Sequence, residues 1–201
     1  MSETPADAET VLEFWLGPLD DHGFSDESHR RRWFEKSPTF DQRIRERFGE
    51  LHAQSVRGEL DEWRQTPRGR LALVILLDQF SRNLHRDSPA MYDADPQALA
   101  VAREAIDAGD EAELAPQERY FLYMPFMHAE DRDAQEHCVR LFERAQATLP
   151  EHLADRFDPK WAIMHRDIVA RFGRFPHRNE ILDREATDEE KAFLEKPGSS
   201  F

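Results

Sequence analysis

A chain of 201 residues with 14 Phe and 4 Trp is long enough for one domain with a sizeable core and too aromatic to stay unfolded. Its 41 acidic residues against 27 basic ones, net charge -14, argue against a nucleic-acid or anionic-membrane surface. The longest apolar run, Leu71 to Leu77, is too short to span a bilayer, the N-terminus has no secretory pattern, and the lone Cys138 points to a reducing, cytoplasmic setting.

In chain order, the punctuation is helical. Ser37-Pro38, Thr66-Pro67, Asp95-Pro96 and Asp158-Pro159 each place a capping side chain before a proline, the pattern of an N-cap followed by the first helical residue. After Pro38, Phe40, Ile44, Phe48 and Leu51 form one amphipathic stripe that ends at Gly58. After Pro67 the run to Leu77 is apolar all round, which predicts a central helix with Leu73, Leu76 and Leu77 deeply buried. After Pro96 the stripe is Leu99, Ala102 and Ile106, ending at Gly109. The segment Tyr120–Met124 predicts a helix that Pro125 breaks.

From Asp131 the stripe Ala134, Cys138, Leu141, Ala145 and Leu149 predicts a helix with a core thiol. After Pro159, Trp161, His165, Ile168 and Phe172 share a face up to Gly173. Thr187 and Glu190 form a capping box before a short last helix. Nothing reads as a strand. The expected architecture is a single all-α domain over 1–201, an irregular stack of helical hairpins with a short frayed tail from about residue 196.

Three polar clusters interrupt this apolar pattern. In 78–83, Asp78 and Arg82 are four apart, as are Gln79 and Asn83, so each pair can meet along a helix; a satisfied ion pair closing a helix would account for the first. In 127–131, His128, Glu130 and Asp131 precede a helix whose N-terminus the two acids can cap. In 165–179, Arg166, Arg171, Arg174 and Arg178 stand against the single Asp167, with His165, His177 and Asn179. Asp167 and Arg171 are spaced for a salt bridge, and a histidine on an apolar helix face is commonly a hydrogen-bonded core residue. The arginine density nonetheless suits carboxylate or phosphate recognition.

The segments "VLEFWLGP", "ILLDQFSRN", "YFLYMPFMHAED" and "HRDIVARFGRFPHRN" together resemble the bacterial domain-of-unknown-function family number 924 over nearly the whole chain. The resemblance implies an all-helical, tetratricopeptide-like fold and no particular activity. Its signature residues fall within 78–83, 128–131 and 165–179; Ser81 stands where the family often carries proline.

Two functional readings follow. The first is a cleft in which Asp78, Gln79, Arg82, Asn83, Arg174, His177, Arg178 and Asn179 gather beside His128 and bind a small anionic molecule or an acidic peptide. The second is a cofactor-free hydrolase or lyase, with His128 or His165 as acid/base, Glu130 or Asp131 as orienting partner, and Arg82 and Arg178 as anion clamp. No phosphate-binding glycine loop, HExxH pair, Glu-x-x-His pair or nucleophile elbow is present, so neither a metal nor a cofactor is expected. No nucleic-acid or membrane partner is expected, and the sequence leaves the oligomeric state open.

Overall fold

The computed structural model describes residues 4–199 and is helical throughout; among these residues there is no strand, only an isolated bridge between Leu19 and Ser25. The helices are α1 (Ala6–Leu16), α2 (Glu27–Phe34), α3 (Pro38–Val56), α4 (Pro67–Val74), α5 (Ser81–Leu84), α6 (Asp95–Ala108), α7 (Pro116–His128), α8 (Arg132–Ala147), α9 (Lys160–Phe172) and α10 (Asp188–Leu194). The chain groups into two compact units, 1–86 with 90–125 and 87–89 with 126–201. No helix among the described residues is long and apolar enough to cross a membrane.

In the first unit the proline signals act as expected at two sites. Ser37 accepts from the Phe40 N–H, and Thr66 from the Gly69 N–H. Gly69 is required there because a Cβ would sit within 2.1 Å of the Trp63 carbonyl oxygen. Leu71 to Leu77 are all buried. The helix continues unbroken from Pro67 to Leu84, but Ile75–Phe80 forms a π-helical turn between α4 and α5, a local widening by one residue per turn. Around it Phe14, Trp15, Phe48 and Phe80 pack as an aromatic core, with ring centroids 4.8–6.2 Å apart.

Several expectations are corrected here. Asp95 is the first residue of α6 and not its N-cap, which is Ala94, and its carboxylate accepts from Arg82. The buried face of α6 is Ala98, Val101, Ala102 and Ala105, while Leu99 and Ile106 are half-buried. Small side chains let that face approach α4 closely. In α3 the inward stripe bends from Phe48 to His52 and Ser55 rather than Leu51.

In the second unit Asp131 caps α8 through the Ala134 N–H, and Ala134, Cys138, Leu141 and Ala145 are buried. Burial raises the Cys138 thiol well above its ordinary range, as expected of a packing thiol. Gly173 ends α9 in the left-handed region at φ +72°, its N–H donating to the Val169 carbonyl. Trp161 does not share the inner face of α9: it is 49% exposed. The Thr187–Glu190 capping box is present. The Ser199 hydroxyl donates to the Leu194 carbonyl, so the tail is tied back at that point; Ser200 and Phe201 lie outside the described residues.

Pro125 does not break α7, which runs on to His128. The lost N–H bond is offset by burial of Phe126 and Met127 and by the buried Gln135. Its side-chain amide donates to the Met127 and Ala129 carbonyls at 2.7 and 2.8 Å, closing the helix end that would otherwise leave its carbonyls open.

Candidate functional site

The polar cluster of 78–83 lies in the first unit and is committed to carboxylates there. Asp78 is fully buried; its carboxylate meets Arg82 at 3.1 Å, as the four-residue spacing predicts. Arg82 also donates to the Asp78 carbonyl at 2.7 Å and forks onto Asp95 at 2.9 and 3.1 Å. Gln79 donates to Asp78 and Asn83 donates to Asp41, so the expected Gln79–Asn83 meeting is replaced by other partners. The carboxylates of Asp78 and Asp41 are stronger acceptors for these two amides than either amide is for the other.

Sequence reasoning passed over Asp41 and His52, both buried on α3. Asp41 accepts the Arg86 fork, and the His52 ring lies 2.8 Å from the Ser81 hydroxyl, which itself donates to the Leu77 carbonyl. The serine proton is thus used, so His52 serves as the donor through Nε2. Polar residues breaking the inner stripe of α3 were the available signal.

In the second unit the other two clusters come together around Phe175, which is buried against Ile168 and Val169. Its ring faces His165 at 5.5 Å and His177 at 5.6 Å, and the Arg178 guanidinium lies over it at 4.6 Å. The Phe175 N–H donates to Glu130 at 2.7 Å, and its carbonyl accepts from Arg184 at 3.1 Å. Arg184 closes the clamp with a two-pronged pair to Glu130 at 2.6 and 3.0 Å, and its Nε donates to the Asn179 side-chain oxygen. Glu130 therefore does not serve the α8 dipole as expected; it fixes the 173–179 loop. Against the burial that would raise it, Arg184 and the Phe175 N–H hold the Glu130 carboxyl below its ordinary range.

Most arginines of 165–179 have carboxylates of their own. Arg166 pairs with Asp167 and Glu136, and Arg171 pairs with Glu189 rather than with Asp167. Arg174 forks onto Glu190 at 2.7 and 2.8 Å, which pulls that carboxyl down to about 2. Arg178 is held differently. It is 6% exposed, and its Nη2 donates to the His128 carbonyl at 2.9 Å. Arg184 was missed altogether, since it lies 54 residues from Glu130 and no local spacing announces it.

The histidines share this environment. Burial first, then the charge of Arg178 and the neighbouring His128 and His177, bring His165 down to about 3 despite its bond to the Trp161 carbonyl. Burial and Arg178 bring His177 to about 4. The His165 Nδ1 lies 2.8 Å from the Trp161 carbonyl oxygen; that atom must carry the proton, leaving Nε2 as the acceptor. The described residues include no group of three or more His, Cys, Asp or Glu placed to hold a metal ion.

The depressed His165 value has a consequence for stability. Folding disfavours its protonated form, so this contribution is complete above the unfolded value of 6.5 and is lost as pH falls toward about 3. At pH 5 the loss is about 2 kcal/mol. His165→Gln is expected to flatten the decline between pH 7 and 5 by about that amount, measured by urea denaturation across the range. An unchanged slope would contradict it.

A family model described as "Bacterial protein of unknown function (DUF924)" matches residues 11–198. No curated protein matches. The chain is similar to a solved structure of a protein of unknown function from Agrobacterium tumefaciens, at 39% identity and a TM-score of 0.80, covering 96% of this chain and 99% of that one. With nearly its whole length matched, from Val11 in α1 past the end of α10, the chain belongs to the bacterial DUF924 family.

Proposed function

We propose that the Phe175 cluster binds an anion, a carboxylate or phosphate group of a small metabolite or an acidic peptide. One observation supports this above others: Arg178, almost wholly buried, stands among His165 and His177, and its charge helps hold both neutral. An arriving anion would relieve that repulsion, accept charge-assisted hydrogen bonds from Arg178, and let the imidazoles take up protons. Half-buried His128 and His177 border the buried groups and are the side chains an entering ligand would meet first.

The enzyme reading is less well supported. A general base works best with a pKa near the operating pH, and His165 at about 3 is a weak one. Its Nδ1 is also tied to the Trp161 carbonyl. Arg82 and Asn83, assigned to the anion-binding cleft from the sequence alone, are engaged by Asp78, Asp95 and Asp41, so the proposal rests on the second unit's residues.

Sulfate, whose charge does not change between pH 6 and 8, is the suitable probe. Because binding raises the histidine pKa values, it takes up protons, and affinity is expected to increase as pH falls from 8 to 6. Arg178→Lys, which keeps the charge but not the fork, should weaken sulfate by roughly 10- to 100-fold, the loss of one charge-assisted hydrogen bond of about 1.5–3 kcal/mol. Calorimetric titration reads both effects, with circular dichroism confirming unchanged helix content. Equal sulfate affinity in the wild type and Arg178→Lys would refute the site.

A further inference from the structure

Arg184, absent from the binding groups above, organises the same cluster. Phe175 lies between the end of α9 and the 3₁₀ turn Pro176–Arg178, with extended backbone at φ -93° and ψ 108°. Its N–H and carbonyl therefore find partners outside the α9 ladder. The N–H donates to Glu130 at 2.7 Å, and the carbonyl accepts from Arg184 Nη2 and from the Arg178 N–H, each at 3.1 Å. The carbonyl that Arg184 grips is thus the one that opens the turn carrying His177 and Arg178.

Arg184 is itself aimed by the chain around it. Asp183 is exposed yet adopts φ +50°, a left-handed conformation uncommon for a residue other than glycine. The chain reverses there, so the Arg184 N–H returns to the Asn179 carbonyl at 2.8 Å while Nε donates to the Asn179 side-chain oxygen at 3.1 Å. With the two-pronged pair to Glu130 and the bond to Phe175, four of the five guanidinium N–H groups are spent inside the cluster. A guanidinium so committed holds backbone and has little left to offer an anion.

We propose that Arg184, with Glu130, is the positioning residue of this site: it holds Arg178 against His165 and His177, and so sets how tightly the cluster takes an anion, without touching the anion itself. This role rests on the anion reading above for its purpose and on the Phe175 hydrogen bonds for its mechanism. The charged and titratable groups around His177 are Arg178, Glu130, Arg184 and His128; those around His165 are His128, Arg178 and His177. Arg178 acts on both histidines, so a loosened Phe175 turn lets that charge drift from both.

The test compares the full chain with Arg184→Lys, Asp183→Val and Asp183→Gly. Lysine keeps the charge but cannot reach Glu130, Phe175 and Asn179 together. Valine resists the left-handed conformation that glycine adopts freely, and both variants remove the same exposed carboxylate. Without ligand, proton NMR of the histidine rings from pH 8 to 5 should find His177, at about 4 in the wild type, titrating about one unit higher in Arg184→Lys and Asp183→Val. His165 should move the same way, and Asp183→Gly should leave both unchanged. Calorimetry should find sulfate bound about tenfold more weakly by the first two variants, with the gain in affinity from pH 8 to 6 flattened. Arg178→Lys, which keeps its charge beside the histidines, should weaken sulfate but retain that gain. Unshifted histidines in both Arg184→Lys and Asp183→Val, with helical content intact, would overturn the positioning role, as would equal shifts in Asp183→Val and Asp183→Gly. A wild type that binds no sulfate would refute the anion reading alone, because the histidine titrations decide the clamp without any ligand.

Discussion

Arg82→Ala is expected to cost about 3–5 kcal/mol of unfolding free energy, the penalty for stripping a buried carboxylate of its counter-ion. Asp78 is completely buried, and Arg82 is the cation that joins it to Asp95. Without the guanidinium, Asp78 retains the Gln79 amide as a hydrogen-bond donor but loses its opposite charge. In a chain of this size the melting temperature should fall by about 6–20 °C. Removing both partners, in Arg82→Met with Asp78→Leu, should recover much of the loss, because an apolar pair of similar volume needs no desolvation. Urea denaturation of the single and double variants decides the matter. A loss below about 1 kcal/mol for Arg82→Ala would place it among ordinary surface pairs.

Phe80→Ala is expected to be comparably severe, about 3–5 kcal/mol, through a cavity rather than a charge. Phe80 is the last residue of the π-turn and is fully buried. Its ring meets Phe14, Trp15 and Phe48 at 6.2, 5.5 and 5.2 Å, so its loss opens the junction of α1, α3 and the π-turn. Phe34→Ala supplies the contrast: the same chemical change on the exposed face of α2 should stay within about 0.5 kcal/mol. Both variants belong in one denaturation series. Similar losses for the two would mean that burial does not separate these phenylalanines energetically.

The two substitutions also differ in how readily sequence announces them. Phe80 lies three residues past the apolar run Leu71 to Leu77, and that run, with the caps at Ser37, Thr66, Asp131 and Thr187, was legible because capping and periodicity act over three or four residues of backbone. The same reach explains Asp78–Arg82. It also explains the local misses. Asp95 has the form of a helix cap, yet its carboxylate does more by neutralising Arg82. Gln79 and Asn83 have the spacing of a helical pair, yet their amides donate to the carboxylates of Asp78 and Asp41 instead.

What lies beyond a helical turn was not legible. Glu130 and Arg184 are 54 residues apart, and Arg174 and Glu190 are 16 apart; any arginine in an acidic chain has many carboxylates within reach in principle. The histidines make the same point: His165 is visible as a histidine on an apolar face, but its neutrality depends on burial and on Arg178. The sequence by itself determined an all-helical chain, its main buried run, its core thiol and the segments where charge gathers, because these follow from side-chain size, backbone hydrogen bonding and short-range spacing. Only the tertiary structure decided which carboxylate neutralises which arginine, because those partners come from distant parts of the chain, and that His165, His177 and Arg178 meet on Phe175, because Glu130 and Arg184 from outside the segment fix the Phe175 backbone.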